Sequence, residues 1–329
     1  MVISQTPLRI SLSGGGTDFG NYYLHHEGFV VSTAIDKYIY VIVKERFDDF
    51  IYVDYSNKEI VNSINDIKHD LVREAAKITN MNKGFEVILF ADIPSEGSGL
   101  GSSSSLTVGL LHAFYAFQGK LITAEQLAQQ ACQIEIDILN QPIGKQDQYI
   151  AAYGGLCSFK FCKDGSVKTN PIVINTEAKR KFGSNLLLFF TKTTRNASAI
   201  LTEQNKNILN KIDFLHKIKD LAFDSYQSIL KLEFNQVGEN LKKNWELKKQ
   251  LASNVSNTDI DKMYDLAMQG GATGAKISGA GGGGFLLVYC ERDKQDNLRN
   301  YLKDYRELPF YLEKHGSKII FDQTRYDIK

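Results

Sequence analysis

Residues 3–12 alternate apolar and polar side chains, the period-two pattern of a half-buried strand. The alternation stops at Ser13-Gly14-Gly15-Gly16-Thr17-Asp18, a turn with little side-chain bulk. Residues 30–33 and 38–44 read as further strands, 66–79 as a helix and 84–90 as a strand. A helix follows Ser103, marked by Leu106, Leu110, Leu111, Phe114 and Phe117. Thr123 with Gln126 makes a capping-box pattern that opens another helix, expected to run to Asn140. Pro142-Ile143-Gly144 ends it, and 156–161 is a strand. A polar stretch over 175–181 precedes a strand at 185–191. From 196 to 252 the chain is largely helical, with apolar residues at 201, 208, 212, 215, 218, 222 and 229. That spacing predicts amphipathic packing helices, not a sustained heptad coil. A strand at 285–289, a helix and terminal strands complete the chain. Strands and helices mix in both halves, which predicts two α/β layered domains, 1–183 and 184–329.

A length of 329 residues agrees with two domains, and 43% hydrophobic with 23% charged residues is an ordinary globular composition. Lys+Arg 39 against Asp+Glu 38 leaves a net charge of +1, so no global field draws the chain to nucleic acid or an anionic membrane. Cys132, Cys157, Cys162 and Cys290 form no C-x-x-C pair, and read as reduced thiols of a cytoplasmic protein. His25-His26 would not be aimed at one metal by helix or strand. The N-terminus carries no signal-peptide pattern, and there is no run of 18 apolar residues. A cytoplasmic location with no membrane partner is the expectation.

The densest chemistry lies at Pro94-Ser95-Glu96-Gly97-Ser98-Gly99-Leu100-Gly101-Ser102-Ser103-Ser104-Ser105. Glycines at alternate positions let the backbone come close to a ligand, because no Cβ intervenes and positive φ is free. The serines sit at a helix start, where unpaired N–H groups and the helix dipole favour an anion. Together these make a phosphate site. No Lys-Ser/Thr follows a terminal glycine, so this is not a Walker loop, and the spacing is not that of a dinucleotide fingerprint.

The loop resembles the second signature of the GHMP kinases, small-molecule kinases named for galactose, homoserine, mevalonate and phosphomevalonate. Three further segments extend the resemblance over nearly the whole chain. Thr6-Pro7-Leu8-Arg9-Ile10-Ser11 leads into the Gly14–Asp18 turn. Glu135 precedes Asp147 by 147 − 135 = 12 positions. Ala275-Lys276-Ile277-Ser278-Gly279-Ala280-Gly281-Gly282-Gly283-Gly284 is similar to the third signature, and its glycines are expected to approach a ligand closely.

The resemblance implies a ribosomal-protein-S5-like N-terminal α/β domain that binds ATP and a ferredoxin-like C-terminal α+β domain. It assigns Asp147 and Arg9 to catalysis, as base and cation. Pro94, Gly97, Gly99, Leu100, Gly101, Ser102, Ser103 and Ser104 would hold ATP, and Ser103 and Glu135 would hold Mg²⁺. The acceptor would meet Gly15, Gly16, Thr17, Asp18, Gly281 and Gly282. Where the family's galactokinases carry Glu-His before Thr-Asp, this chain has Gly15-Gly16, which argues against galactose. The four serines and Ile143-Gly144-Lys145-Gln146-Asp147-Gln148 are most similar to the subgroup that phosphorylates the anomeric hydroxyl of D-glycero-D-manno-heptose 7-phosphate. Fucokinase-type enzymes, a diphosphomevalonate decarboxylase and a non-catalytic sugar sensor share the pattern as alternatives. The acceptor's own phosphate needs a cation: Arg195 is the first candidate, Lys37 and Lys192 the second. Monomer and homodimer both remain open.

Overall fold

The computed structural model describes residues 1–94, 97–194 and 197–323. An eight-stranded sheet dominates the first half. It contains β1 (Val2–Ser13), β2 (Gly28–Glu45), β3 (Ile51–Asp54), β4 (Lys58–Val61), β5 (Phe85–Ala91), β6 (Leu156–Phe161) and β7 (Val167–Pro171). The second half builds a three-stranded sheet from β8 (Leu186–Phe190), β9 (Gly274–Ile277) and β10 (Phe285–Tyr289), in the order β8-β10-β9. The last strand, β11 (Lys318–Asp322), returns to the large sheet and pairs with the start of β1.

The two strands read at 30–33 and 38–44 are one strand of 18 residues. The first part of β2 pairs with β6 and the second with β5, while β1 runs antiparallel along nearly all of it. Register shifts between Pro7 and Leu8, and between Ser11 and Ser13, let β1 bend to follow. In the smaller sheet, the irregular stretch 306–308 hydrogen-bonds to the outer edge of β8. Phe190 N donates to Arg306 O at 2.8 Å and Leu308 N to Leu188 O at 2.8 Å, so that edge is covered.

The helix Ser102–Phe117 packs on β1 and β2 and is apolar nearly all round, as a helix buried between sheet and outer helices must be. Its core continues across the halves: Phe114 and Leu8 share one buried cluster with Leu188, Leu241 and Tyr289. A second cluster around Trp245, Met263 and Leu286 fills the smaller half.

Several elements depart from the sequence pattern. The helix opened by the Thr123 capping box stays α-helical only over Ala124–Cys132, then widens into a π-helix at Gln133–Ile138. The polar stretch at 175–181 is a helix, Thr176–Ser184, capped by Asn175 and buried only at Ala178 and Phe182. With so few apolar anchors, its periodicity could not stand out. Gln146–Tyr153, the short helix that carries Asp147, follows the Pro-Ile-Gly break directly. No helix among the described residues is long and apolar enough to cross a membrane.

Candidate active site

β1 ends beside the Gly/Ser loop and is tied to it, Arg9 N donating to Leu100 O at 3.0 Å. Arg9 is 5% exposed, and its side chain closes the gap between three segments. Its Nη1 donates to Gly99 O at 2.6 Å. Nε and Nη2 form a fork on Asp147, at 2.7 Å to Oδ1 and 2.5 Å to Oδ2. Asp147 occupies the first turn of its helix, where the dipole favours a negative charge. Gly101 takes φ +80°, where a Cβ would be strained, and the atom would crowd the ion pair at 3.2 Å from Arg9 Cγ and 3.4 Å from Asp147 Oδ2.

The two glycine-dense loops touch each other, backbone to backbone. A Cβ on Gly99 would stand 2.5 Å from Ser278 O, one on Gly279 2.6 Å from Gly99 Cα, and one on Gly284 2.5 Å from Ser98 O. Of the glycines in the 279–284 loop, all expected to face a ligand, Gly279 and Gly284 are needed first for this loop-to-loop contact. Gly279 and Ala280 reach the cavity wall. Gly281 and Gly282 lie off it, against Val255, whose carbonyl accepts from Gly282 N at 2.8 Å.

Glu135 sits on the π-helix, entirely buried, and accepts from Ser103 Oγ at 2.7 Å and Gln148 Nε2 at 2.6 Å. A π turn inserts a residue and re-aims the side chains that follow, which a 3.6-residue period does not anticipate. Burial pushes the Glu135 carboxyl up to about 7, against hydrogen bonds from Ser103, Ser104 and Gln148 that pull it down. No ion pair to Glu135 occurs among the described residues, so a buried carboxylate and an adjacent hydroxyl face the cavity without a cation. That donor set suits Mg²⁺, which takes one or two carboxylates and completes its shell with substrate phosphates and water. No cluster of three or more His, Cys, Asp or Glu side chains able to hold a metal occurs among the described residues, so phosphate oxygens would have to supply the remaining ligands.

Asp18 is 1% exposed and lines the same cavity. Gly16 N donates to Oδ1 at 2.9 Å and Gln146 N to Oδ2 at 3.2 Å, joining the glycine turn to the Asp147 segment. Burial raises its pKa and the two backbone bonds oppose that rise. The missing side chains at Gly15 and Gly16 leave space that two amides fill. Gln146 Nε2 stands 3.4 Å from a Cβ on Gly15, and Gln204 Nε2 stands 2.6 Å from one on Gly16.

These residues enclose one cavity of about 330 Å³. It gathers Arg9, Asp18, Glu135 and Asp147 with Gly97, Gly99 and Gly101–Ser104. Pro94 is exposed and outside the cavity lining, and Leu100 is fully buried beneath the loop. Thr17 is also structural in position: its hydroxyl donates to Gly14 O at 2.8 Å and accepts from Phe29 N at 3.1 Å. Arg195 lies outside the described residues. Lys37 pairs with Asp36, and Lys192 lies over the Tyr305 ring, neither in the cavity. Two other lysines are there instead. Lys248 donates to Ile277 O at 3.2 Å and to Gly279 O, and Lys276 donates to Leu12 O at 3.3 Å. Burial pushes Lys248 down to about 7 and moves Lys276 in the same direction, with Arg9 adding to both.

The GHMP kinases N terminal domain model matches residues 65–155, and the GHMP kinases C terminal model matches residues 226–307. A D-glycero-alpha-D-manno-heptose 7-phosphate kinase of Campylobacter jejuni is 32% identical over 91% of this chain and 92% of its own length. The chain is a GHMP kinase. It is thereby an ATP-using sugar kinase with the family's two-domain fold. Other relatives include the L-fucokinase/L-fucose-1-P guanylyltransferase of Bacteroides fragilis, 28% identical over 91% of this chain but only 35% of that longer protein. Among solved structures, a D-glycero-D-manno-heptose 1-phosphate kinase from Bacteroides thetaiotaomicron superposes with a TM-score of 0.83 at 25% identity. That match covers 98% of this GHMP kinase and 100% of the neighbour. A sugar kinase from Campylobacter jejuni, described as putative, follows with a TM-score of 0.77 at 28% identity, over 97% of each chain.

Proposed function

We propose that this GHMP kinase phosphorylates the anomeric hydroxyl of D-glycero-D-manno-heptose 7-phosphate, giving the 1,7-bisphosphate used to make nucleotide-activated heptose for surface polysaccharide. The full-length likeness to the Campylobacter jejuni heptose 7-phosphate kinase carries this reading. The work is assigned to the cytoplasm, with residues 1–183 forming the ATP-binding domain and 184–329 the second domain.

In the proposed reaction, amides of the 97–104 loop cradle the ATP phosphates. Ser103 and Glu135 would hold Mg²⁺, which would supply charge neutralisation for the phosphates. Asp147 orients the anomeric hydroxyl and takes its proton as the new O–P bond forms. Arg9, already forked on Asp147, fixes that carboxylate and spreads charge in the transition state. Asp18, with the amides of Gln146 and Gln204 that occupy the space left by the glycine turn, would hold sugar hydroxyls.

ADP release in a coupled assay, run with heptose 7-phosphate, L-fucose, mannose and mevalonate diphosphate, tests the reading. Phosphorus NMR then reports which oxygen is modified. The expected result is an anomeric phosphate on the heptose, with kcat/KM at least about tenfold above any neutral sugar. Preferred turnover of fucose would move the enzyme to the fucokinase type. Sugar binding with no turnover at all would make it a sensor.

A further inference from the structure

One side of the cavity is idle in the scheme above. Lys248 closes the helix Phe234–Lys248 and Lys276 lies in β9, so both enter from the second half, whereas the carboxylates belong to the first. They are 8% and 3% exposed, and both line the cavity. An ammonium has three N–H donors and no acceptor. Lys248 uses two on the carbonyls of Ile277 and Gly279, and Lys276 uses one on Leu12 O. Three of the six donors therefore have no acceptor among the described residues.

Neither lysine has an ion pair among the described residues, and the charges that act on them are alike in sign: Arg9 on both, Lys248 on Lys276. Gathering buried cations without a counter-charge is costly unless a bound anion completes the set. The surrounding wall is also unfinished. Ser11 and Asn244 line the cavity, and the hydroxyls of Ser11, Ser13 and Ser278 are buried with no hydrogen-bond partner among the described residues. Asn244 precedes Lys248 by four residues, so the two share a helix face. The Leu12 carbonyl that holds Lys276 lies just before the Gly14–Asp18 turn, on the acceptor's side of the site.

We propose that Lys248 and Lys276 form a phosphate subsite on the acceptor side of the cavity, taking an anionic group that the acceptor carries before transfer. This inference rests on the sugar-phosphate reading and replaces Lys37 and Lys192 as the cations for it. Phosphate can also come from ATP, so the test separates the two sources.

Inorganic phosphate is the probe, titrated into the full chain with saturating ADP present and followed by thermal shift. Competition kinetics run alongside. Phosphate is expected to stabilise the wild type with ADP in place, and to compete with heptose 7-phosphate but not with ATP. Lys248→Met and Lys276→Met should each abolish that stabilisation. Each should raise KM for the sugar phosphate by at least about tenfold and shift KM for ATP by less than about twofold. Each variant is expected to lose some ligand-free Tm, because the carbonyls that the ammonium held lose their donor. If the variants unfold, the wild-type competition pattern still decides. Competition against ATP, or a KM change confined to ATP, would overturn the acceptor assignment. A lower Tm with both KM values unchanged would reduce the lysines to ties on the glycine loop and also overturn it. Turnover of heptose 7-phosphate with no phosphate competition would sink the subsite alone. Preference for a neutral sugar while phosphate still competes at the lysine pair would sink the heptose reading and keep the subsite.

Discussion

Asp147 and Glu135 are both carboxylates beside the same loop, yet their surroundings give them different work. Asp147 is partly open and clasped by Arg9; Glu135 is sealed and answered only by neutral donors. Replacing Asp147 with Asn keeps the shape and removes the base. Turnover should fall by at least about a hundredfold, with KM for ATP little changed; wild-type-like kcat would refute the assignment. Glu135 makes a prediction about folding. Its carboxyl rises from 4.5 in the unfolded chain to about 7 in the fold. Between those values the folded protein holds a proton that the unfolded chain has released, so this group's contribution to stability falls as pH rises through the window. His112 is pushed down to about 4 by burial and acts in the opposite sense below its ordinary value. The clean measurement is thus the Tm of Glu135→Gln minus that of wild type, without metal or nucleotide. That difference should grow from about pH 5 to about pH 7. A flat difference would mean the carboxyl is not raised.

At the scale of elements, the two glycine loops owe their composition to each other. Gly279 has φ +66° and its missing Cβ would meet Gly99 backbone at 2.6 Å, whereas Gly119 at φ +69° has nothing within 4 Å. Gly119→Ala therefore meets only backbone strain, and Gly279→Ala also forces the loops apart. Gly279→Ala should lower stability by about 1–3 kcal/mol. It should also raise KM for ATP, and Gly119→Ala should leave KM alone. Equal KM values in the two variants would detach the loop contact from nucleotide binding. Both loops were legible in the sequence because a run of glycines before a helix or strand has few other uses. The cations opposite them were not. Lys248 lies near Lys242, Lys243 and Lys249 in a polar helix, and composition does not separate a buried lysine from a solvated one. Lys276, between Ala275 and Ile277, had the better signal: a lone charge in an apolar strand. The depth of Glu135 is hidden for a different reason: a π-helix over Gln133–Ile138 re-aims side chains away from the 3.6-residue period of the helix before it.

Across the whole molecule, two-layered organisation follows from the alternation of strand and helix patterns, but the pairing of distant strands does not. β11 comes from the last residues of the chain and covers the outer edge of β1, with Val2 opposite Asp322 and Gln5 opposite Lys318. Arg9 lies further along the same strand, held by β2 on one side and by Leu100 near its other face. Just before β11, Ser317 is anchored separately: its amide donates to Ala151 O at 2.9 Å and its hydroxyl meets Thr6 Oγ1 at 2.8 Å. A chain ending at Ser317 therefore keeps the contacts that position β1 near the site and, among the described residues, loses β11 and Gln323, which cover its edge. β11 is half-exposed to exposed along its length, so little apolar surface leaves the core with it. The truncated kinase should lose about 1–3 kcal/mol of stability and self-associate through the bared edge of β1. At a temperature where it remains folded and dilute, its kcat should stay within about twofold of wild type, because no group at the reacting centre has moved. A large fall in kcat with an unchanged Tm would show that the final strand sets the angle of β1, and with it the reach of Arg9 to Asp147.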